Sequence, residues 1–193
     1  MLAISLPVLE LVFTVFWLLC RITVWLRQRH IDWHREAVLL LMYVNLAVII
    51  RFTFFPMSRV NGIVQPLIFN ASTAFPLRVN LIPFVNLFDY ENRRDLLLNT
   101  FGNAAMFIPS GIVLPIVFKE LSSFRKVVAA GTMISLCIEI IQLPLSVRAS
   151  DVDDLILNTV GVILGYGIYA MIKALRIRHT EKSELAEENP DYD

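Results

Sequence analysis

Five stretches of the chain are apolar over a length that can cross a lipid bilayer. They are Leu2–Leu26, Ala37–Phe55, Leu96–Phe118, Val127–Leu143 and Leu155–Leu175, with approximate bounds. A transmembrane helix needs about 20 consecutive, mostly apolar residues, so each stretch predicts a membrane-spanning helix. The first stretch lacks a basic start and carries Glu10, so we expect it to be a helix rather than a cleaved signal. The pattern therefore predicts an all-α, polytopic membrane bundle of five transmembrane helices.

The connection between the second and third stretches, Pro56–Asp95, is too long for a plain loop and is itself apolar. Its two apolar runs, Ile63–Phe69 and Val79–Phe88, are each broken by proline and are too short to span. We expect this segment to cover one end of the bundle in an interfacial or re-entrant position, which the sequence places outside the cell.

Two of the predicted helices begin with the same polar pattern. Residues 95–102 read Asp-Leu-Leu-Leu-Asn-Thr-Phe-Gly, and residues 154–161 read Asp-Leu-Ile-Leu-Asn-Thr-Val-Gly. An acid and an asparagine four residues apart share one helix face. We interpret the aspartates as helix starts. Asparagines inside lipid need partners, so Asn99 and Asn158 are predicted to belong to a shared site. In the second copy, Gly161 and Gly165 predict close approach of a neighbouring helix.

Other polar residues fall at the same predicted depth. Arg51, Glu139 and Gln142 lie near the outer ends of their stretches, and Asn103 follows Asn99 by one turn. Arg51 is predicted either to pair with Glu139 or Glu10, or to reach outward to loop carbonyls. Together these side chains predict one polar layer in the outer leaflet.

The loop before the last helix is acidic. It contains Asp151, Asp153 and Asp154 next to Arg148. Three carboxylates can bind a divalent cation, or they can cap the following helix and pair with the arginine. The spacing matches no calcium loop, so we favour capping. No metal site and no cofactor is predicted.

Composition and charge set the class of the protein. The chain is 56% hydrophobic, which excludes a soluble domain and therefore nucleic-acid binding. Net charge is zero, but the last fourteen residues hold six acids and one lysine, which gives −5 and leaves +5 elsewhere. We predict a membrane domain over residues 1–179 and a disordered acidic tail over residues 180–193. Basic residues predict an extracellular N-terminus and a cytoplasmic C-terminus.

The polar motifs resemble those of the VanZ-like membrane protein family over roughly residues 51–167. The matching elements are Asn80-Leu-Ile-Pro83-Phe84, Asn99-x-x-Gly102-Asn103, Phe107-Ile-Pro109-x-Gly111, Glu139-x-x-Gln142, Arg148, Asp151-x-Asp153-Asp154 and Asn158-x-x-Gly161. Ala149-Ser150 departs from the family, which has a bulky apolar residue before Asp151. The resemblance implies a cell-membrane protein. Its eponymous member is linked to resistance to teicoplanin, a lipid-tailed glycopeptide, and no established reaction attaches to the motifs.

Three functions remain open from the sequence. The first is a binding function. Besides membrane lipids, the protein would bind a lipid-linked headgroup, a cell-wall precursor or a glycopeptide, and this binding would modulate glycopeptide susceptibility. The predicted binding residues are Arg51, Asn80, Asn99, Asn103, Glu139, Gln142, Arg148, Asp151, Asp154 and Asn158. The second is an intramembrane enzyme with Glu139 as general acid or base, although no histidine lies near it. The third is a small transporter. The sequence predicts no oligomeric state.

Overall fold

The computed structural model describes residues 2–55, 59–60, 62–70, 79–85, 93–145 and 150–188. Its five α-helices are α1 (Leu6–Gln28), α2 (Trp33–Phe54), α3 (Arg93–Val117), α4 (Phe124–Gln142) and α5 (Val152–Glu188). A 3₁₀ turn, Lys119–Leu121, connects α3 to α4. The all-α class predicted from the apolar stretches is confirmed.

Four of these helices, α1, α2, α3 and α5, are long and apolar enough to cross a membrane. The fourth predicted span corresponds to α4, which has 19 residues and includes Arg125, Lys126 and Glu139. Because α4 is so short, all three charges fall within the length that would have to cross the bilayer. Its crossing of the bilayer stays a prediction.

The last helix is longer than the sequence predicts. α5 continues to Glu188, whereas a disordered tail was expected from Thr180. Residues 181–188 contain glutamate, lysine, leucine and alanine, which all favour a helix, and an existing helix is extended more easily than a new one begins. Residues 189–193 lie outside the described part of the chain.

The closest helix packing joins α3 to α5. A Cβ atom added to Gly161 would overlap the carbonyl oxygen of Ala104, and one added to Gly165 would overlap that of Ile108. The two backbones therefore touch directly, which confirms the close approach predicted from the two glycines. Phe107 on α3 and Val162 on α5 are fully buried beside this contact.

In contrast, α1 lies at the edge of the bundle and has no buried residue. Its contacts with α2 include a 2.7 Å hydrogen bond between the hydroxyls of Thr14 and Tyr43. An ion pair between Arg21 and Glu36 joins the same two helices. Neither contact reaches the polar residues that the sequence singles out.

Short β-strands gather the loops at one end of the bundle, which we call the loop end. They are β1 (Leu2–Ile4), β2 (Arg59–Val60), β3 (Ile63–Val64), β4 (Leu67–Phe69), β5 (Val79–Asn80) and β6 (Ser150–Asp151). β1 pairs antiparallel with β4, β2 pairs antiparallel with β3, and β5 pairs parallel with β6. The N-terminus, the long connection and the α4–α5 loop thus meet at one end. Which side of the membrane that end faces stays a prediction.

Candidate functional site

Glu139 is the buried centre of the polar residues at the loop end. It lies near the end of α4 and only 5% of it is exposed. Its Oε2 accepts hydrogen bonds from the Ser150 hydroxyl at 3.0 Å and from the Asp151 backbone N–H at 3.1 Å. One carboxylate oxygen therefore fastens α4 to β6.

The acidic loop holds the start of α5 and the neighbouring connection. Asp151 Oδ1 accepts from the backbone N–H of Asp153 at 3.0 Å, which is an N-cap arrangement, and from the Asn80 amide at 3.1 Å. Asp153 Oδ1 accepts from the backbone N–H of Phe84 at 2.8 Å. These contacts support the capping interpretation of the loop. They also join Asn80 to the layer, across the β5–β6 pairing.

The two copies of the repeated motif differ in environment. In the second copy, Asn158 is buried and its amide donates to the Ser135 hydroxyl of α4 at 2.9 Å. In the first copy, Asn99 is exposed on α3. Asn103, one turn later, donates a hydrogen bond to Asp154 and so links α3 to the start of α5. α3 therefore joins the polar layer through Asn103.

Three buried oxygens of this layer have no hydrogen-bond donor within the described part of the chain. They are Glu139 Oε1, Gln142 Oε1 and Asn158 Oδ1, and each residue is at most 5% exposed. The second polar atom of each of these side chains does have a protein partner. For Gln142 it is Nε2, which donates to the Thr53 carbonyl at 3.0 Å. We call the three oxygens the acceptor row. The remaining unpartnered buried atom among the described residues, Trp25 Nε1, belongs to α1.

Arg51, one of the two arginines of the predicted site, stands apart from this row. Arg51 donates to the Phe55 carbonyl at 3.4 Å, and its guanidinium lies 5.4 Å from the centre of the Phe52 ring. It does not pair with Glu139 or Glu10, so the alternative of an outward contact with a carbonyl describes it. Arg148 lies outside the described residues.

Sequence reasoning missed several polar partners. Ser135 lies one turn before Glu139 on the same face of α4, which is a signal the sequence contains. Ser150 was noted only as a departure from a family pattern. A separate buried pair was also missed, in which the Ser110 hydroxyl donates to Asn45 Oδ1 at 2.5 Å.

Comparison with known proteins identifies the family. The VanZ/LLP1 family matches residues 38–173, which is more than half of the chain. Protein VanZ of Enterococcus faecium is 36% identical over 93 residues, which are 48% of this chain. The match covers 53% of that protein, so this chain spans about half the length of the curated relative. No solved structure matches the chain. The family match contains the acceptor row together with α3, α4 and the first part of α5, and on this evidence the chain is a membrane protein that belongs to the VanZ/LLP1 family.

Proposed function

We propose that this protein binds a lipid-linked headgroup or cell-wall precursor at the loop end and thereby modulates susceptibility to teicoplanin-type glycopeptides. The observation that carries the proposal is the acceptor row: three buried oxygens on two helices lack donors within the described chain. Glu139 and Gln142 lie near the end of α4, and Asn158 lies in the second turn of the apolar helix α5, close to where a lipid-linked molecule would present its headgroup.

Buried polar atoms without hydrogen-bond partners are energetically costly. Leaving a buried acceptor without a donor costs about 1–3 kcal/mol, so three of them are a substantial burden for a marginally stable protein. Buried polar atoms in native proteins are mostly paired, which makes three in one layer unusual. A ligand that donates hydrogen bonds to the row would recover this cost.

The surrounding contacts fix the orientation of the acceptor row. Glu139 Oε2, Gln142 Nε2 and Asn158 Nδ2 are each fixed by a protein partner. The orientation of each free oxygen is therefore set before a ligand arrives. Pre-organised polar groups lose less conformational freedom on binding, which favours affinity.

One observation favours a second candidate, an intramembrane enzyme. The Ser150 hydroxyl donates a hydrogen bond to Glu139 at 3.0 Å. A hydroxyl that is hydrogen-bonded to a carboxylate is one arrangement of a nucleophile and a base. However, the same carboxyl oxygen also accepts the Asp151 N–H and anchors β6. Both hydrogen bonds to this oxygen are therefore accounted for by structure, and binding without turnover is the better-supported function.

The test compares bacteria that express the wild-type protein, Glu139→Gln or Ser150→Ala, at equal membrane abundance. We expect the wild-type protein to change the inhibitory concentration of teicoplanin, Glu139→Gln to abolish the change, and Ser150→Ala to retain most of it. A wild-type protein that alters no susceptibility would contradict the link to glycopeptides. Loss of the effect in Ser150→Ala, with intact folding and headgroup binding, would favour the enzyme instead.

A further inference from the structure

The acceptor row restricts the chemistry of the ligand group that it can hold. When Glu139 is ionised, each free atom is an oxygen with lone pairs and no hydrogen: one carboxylate oxygen and two amide carbonyl oxygens. A phosphate or carboxylate of a ligand would place further acceptors against these atoms and would be repelled. The matching group must donate hydrogen bonds.

Formal charge further restricts which ligand group the acceptor row can hold. Glu139 is the residue of the row that can carry a charge, and it forms no ion pair with any described lysine or arginine. Arg51, the predicted partner, contacts Phe55 instead. A buried carboxylate without a counter-ion is strongly unfavourable, so a cationic donor suits Glu139 better than a neutral one.

The row extends along α4. Gln142 lies three residues beyond Glu139, and Asn158 forms a hydrogen bond with Ser135, one turn on the other side. From Ser135 to Gln142 the helix axis rises roughly 10 Å. Among the described residues, no three His, Cys, Asp or Glu side chains are grouped so that they could hold a metal ion. A molecule with several donors along its length suits the row.

We propose, resting on the proposed function, that the ligand places a primary ammonium group against Glu139 Oε1 and neighbouring N–H or O–H donors against Gln142 and Asn158. A primary ammonium supplies three N–H donors and a positive charge. It occurs both in aminophospholipid headgroups and in lipid-linked peptides with a free amine. Both sources offer the same ammonium group, and the experiment distinguishes the aminophospholipid from the lipid-linked peptide.

The experiment measures binding of four probes to the purified full-length protein by native mass spectrometry. Two probes are a lipid-linked disaccharide-peptide with one free side-chain amine and the same molecule with that amine acetylated. The other two are phosphatidylethanolamine and phosphatidylcholine with identical acyl chains. Acetylation removes the charge, and the quaternary ammonium of choline keeps the charge but has no N–H donor.

For the wild-type protein we expect acetylation to weaken binding at least about tenfold, in line with loss of a charge-assisted hydrogen bond. Glu139→Gln should remove this difference. In that variant the side-chain oxygen can still accept from Ser150 and Asp151, while an NH₂ group replaces the free acceptor. Should the variant fold poorly, Asn158→Leu serves as a second test, and we expect it to weaken the free-amine probe several-fold.

Each alternative result decides between the two proposals. Equal binding of both lipid-linked probes would overturn the ammonium assignment and leave the proposed function standing. Preference for phosphatidylethanolamine over phosphatidylcholine, lost in Glu139→Gln, with no binding of either lipid-linked probe, would support the ammonium and overturn the lipid-linked source. No binding of any probe would overturn both.

Asn45→Leu is the matched control. It removes a buried amide from another part of the bundle, where both ends of the side chain are bonded. If it erased the preference for the free amine as Glu139→Gln does, the effect would reflect general destabilisation, and the assignment to the acceptor row would fail.

Discussion

Two buried polar clusters in this bundle have similar composition and opposite hydrogen bonding. In the first, Asn45 donates to the Met106 carbonyl at 3.0 Å and accepts from the Ser110 hydroxyl, so both ends of its side chain are paired. In the second, Asn158 donates to Ser135 while its own oxygen has no donor within the described chain. The two asparagines are equally buried, at 4% and 3% exposure. Burial of an amide therefore does not mark a binding site by itself, whereas an unpaired buried oxygen points to one.

The largest effect is expected from a substitution that disrupts the packing of α3 against α5, because this packing supports both clusters. Gly161→Val places a side chain against the carbonyl of Ala104, where no space exists. Because the backbone of α3 would have to move, we expect a loss of about 3 kcal/mol or more of unfolding free energy. Loss of helical circular dichroism during heating in detergent measures it. Gly167→Val is the control, since a Cβ there meets nothing within 4 Å, and an equal loss in both variants would contradict the packing.

The next effect tests the paired cluster. Asn45→Leu keeps the branching and the number of heavy atoms of the side chain but leaves the Ser110 hydroxyl without its acceptor. We expect about 1–3 kcal/mol of destabilisation, because a buried polar group loses its partner. The same thermal measurement applies. A variant as stable as the wild type would show that this cluster contributes little, and the contrast between the two clusters would weaken.

The same substitution in the acceptor row should have a smaller effect on stability. Asn158→Leu removes a hydrogen bond to Ser135 and also removes an unpaired buried oxygen. These contributions oppose each other, so we expect a change in unfolding free energy within about 1 kcal/mol. Headgroup binding should nevertheless fall. Destabilisation as large as that of Asn45→Leu, measured side by side, would mean that Asn158 is a structural residue.

The smallest effect is expected at the first copy of the repeated motif. Asn99 is exposed, whereas its counterpart Asn158 is buried. We expect Asn99→Leu to change the unfolding free energy by no more than about 0.5 kcal/mol and to leave headgroup binding unchanged. Binding lost in this variant would restore the symmetric site that the repeat predicts.

Periodicity and length were sufficient to predict the helices, and the spacing of Gly161 and Gly165 predicted close packing of a neighbouring helix, which the structure identifies as α3. The polar partners were harder to predict. The repeated motif suggested equal roles for Asn99 and Asn158. How two packed helices are shifted along their axes is a tertiary property that the motif does not contain. In the structure Asn103, and not Asn99, contacts the start of α5 at Asp154. Asn45 and Ser110 are 65 residues apart, so no local pattern joins them. For Arg51 the sequence left an acidic partner and a carbonyl contact open, because depth does not fix direction around a helix axis.

The most direct test of the central claim is an experimental structure of the full-length protein, determined by electron cryo-microscopy in lipid discs extracted from its own membrane. The acceptor row predicts a bound molecule with a nitrogen or hydroxyl within about 3.2 Å of Glu139 Oε1 and of at least one of the other two oxygens. Protein side chains or ordered water alone at hydrogen-bond distance from all three oxygens would contradict the claim that this layer binds a ligand.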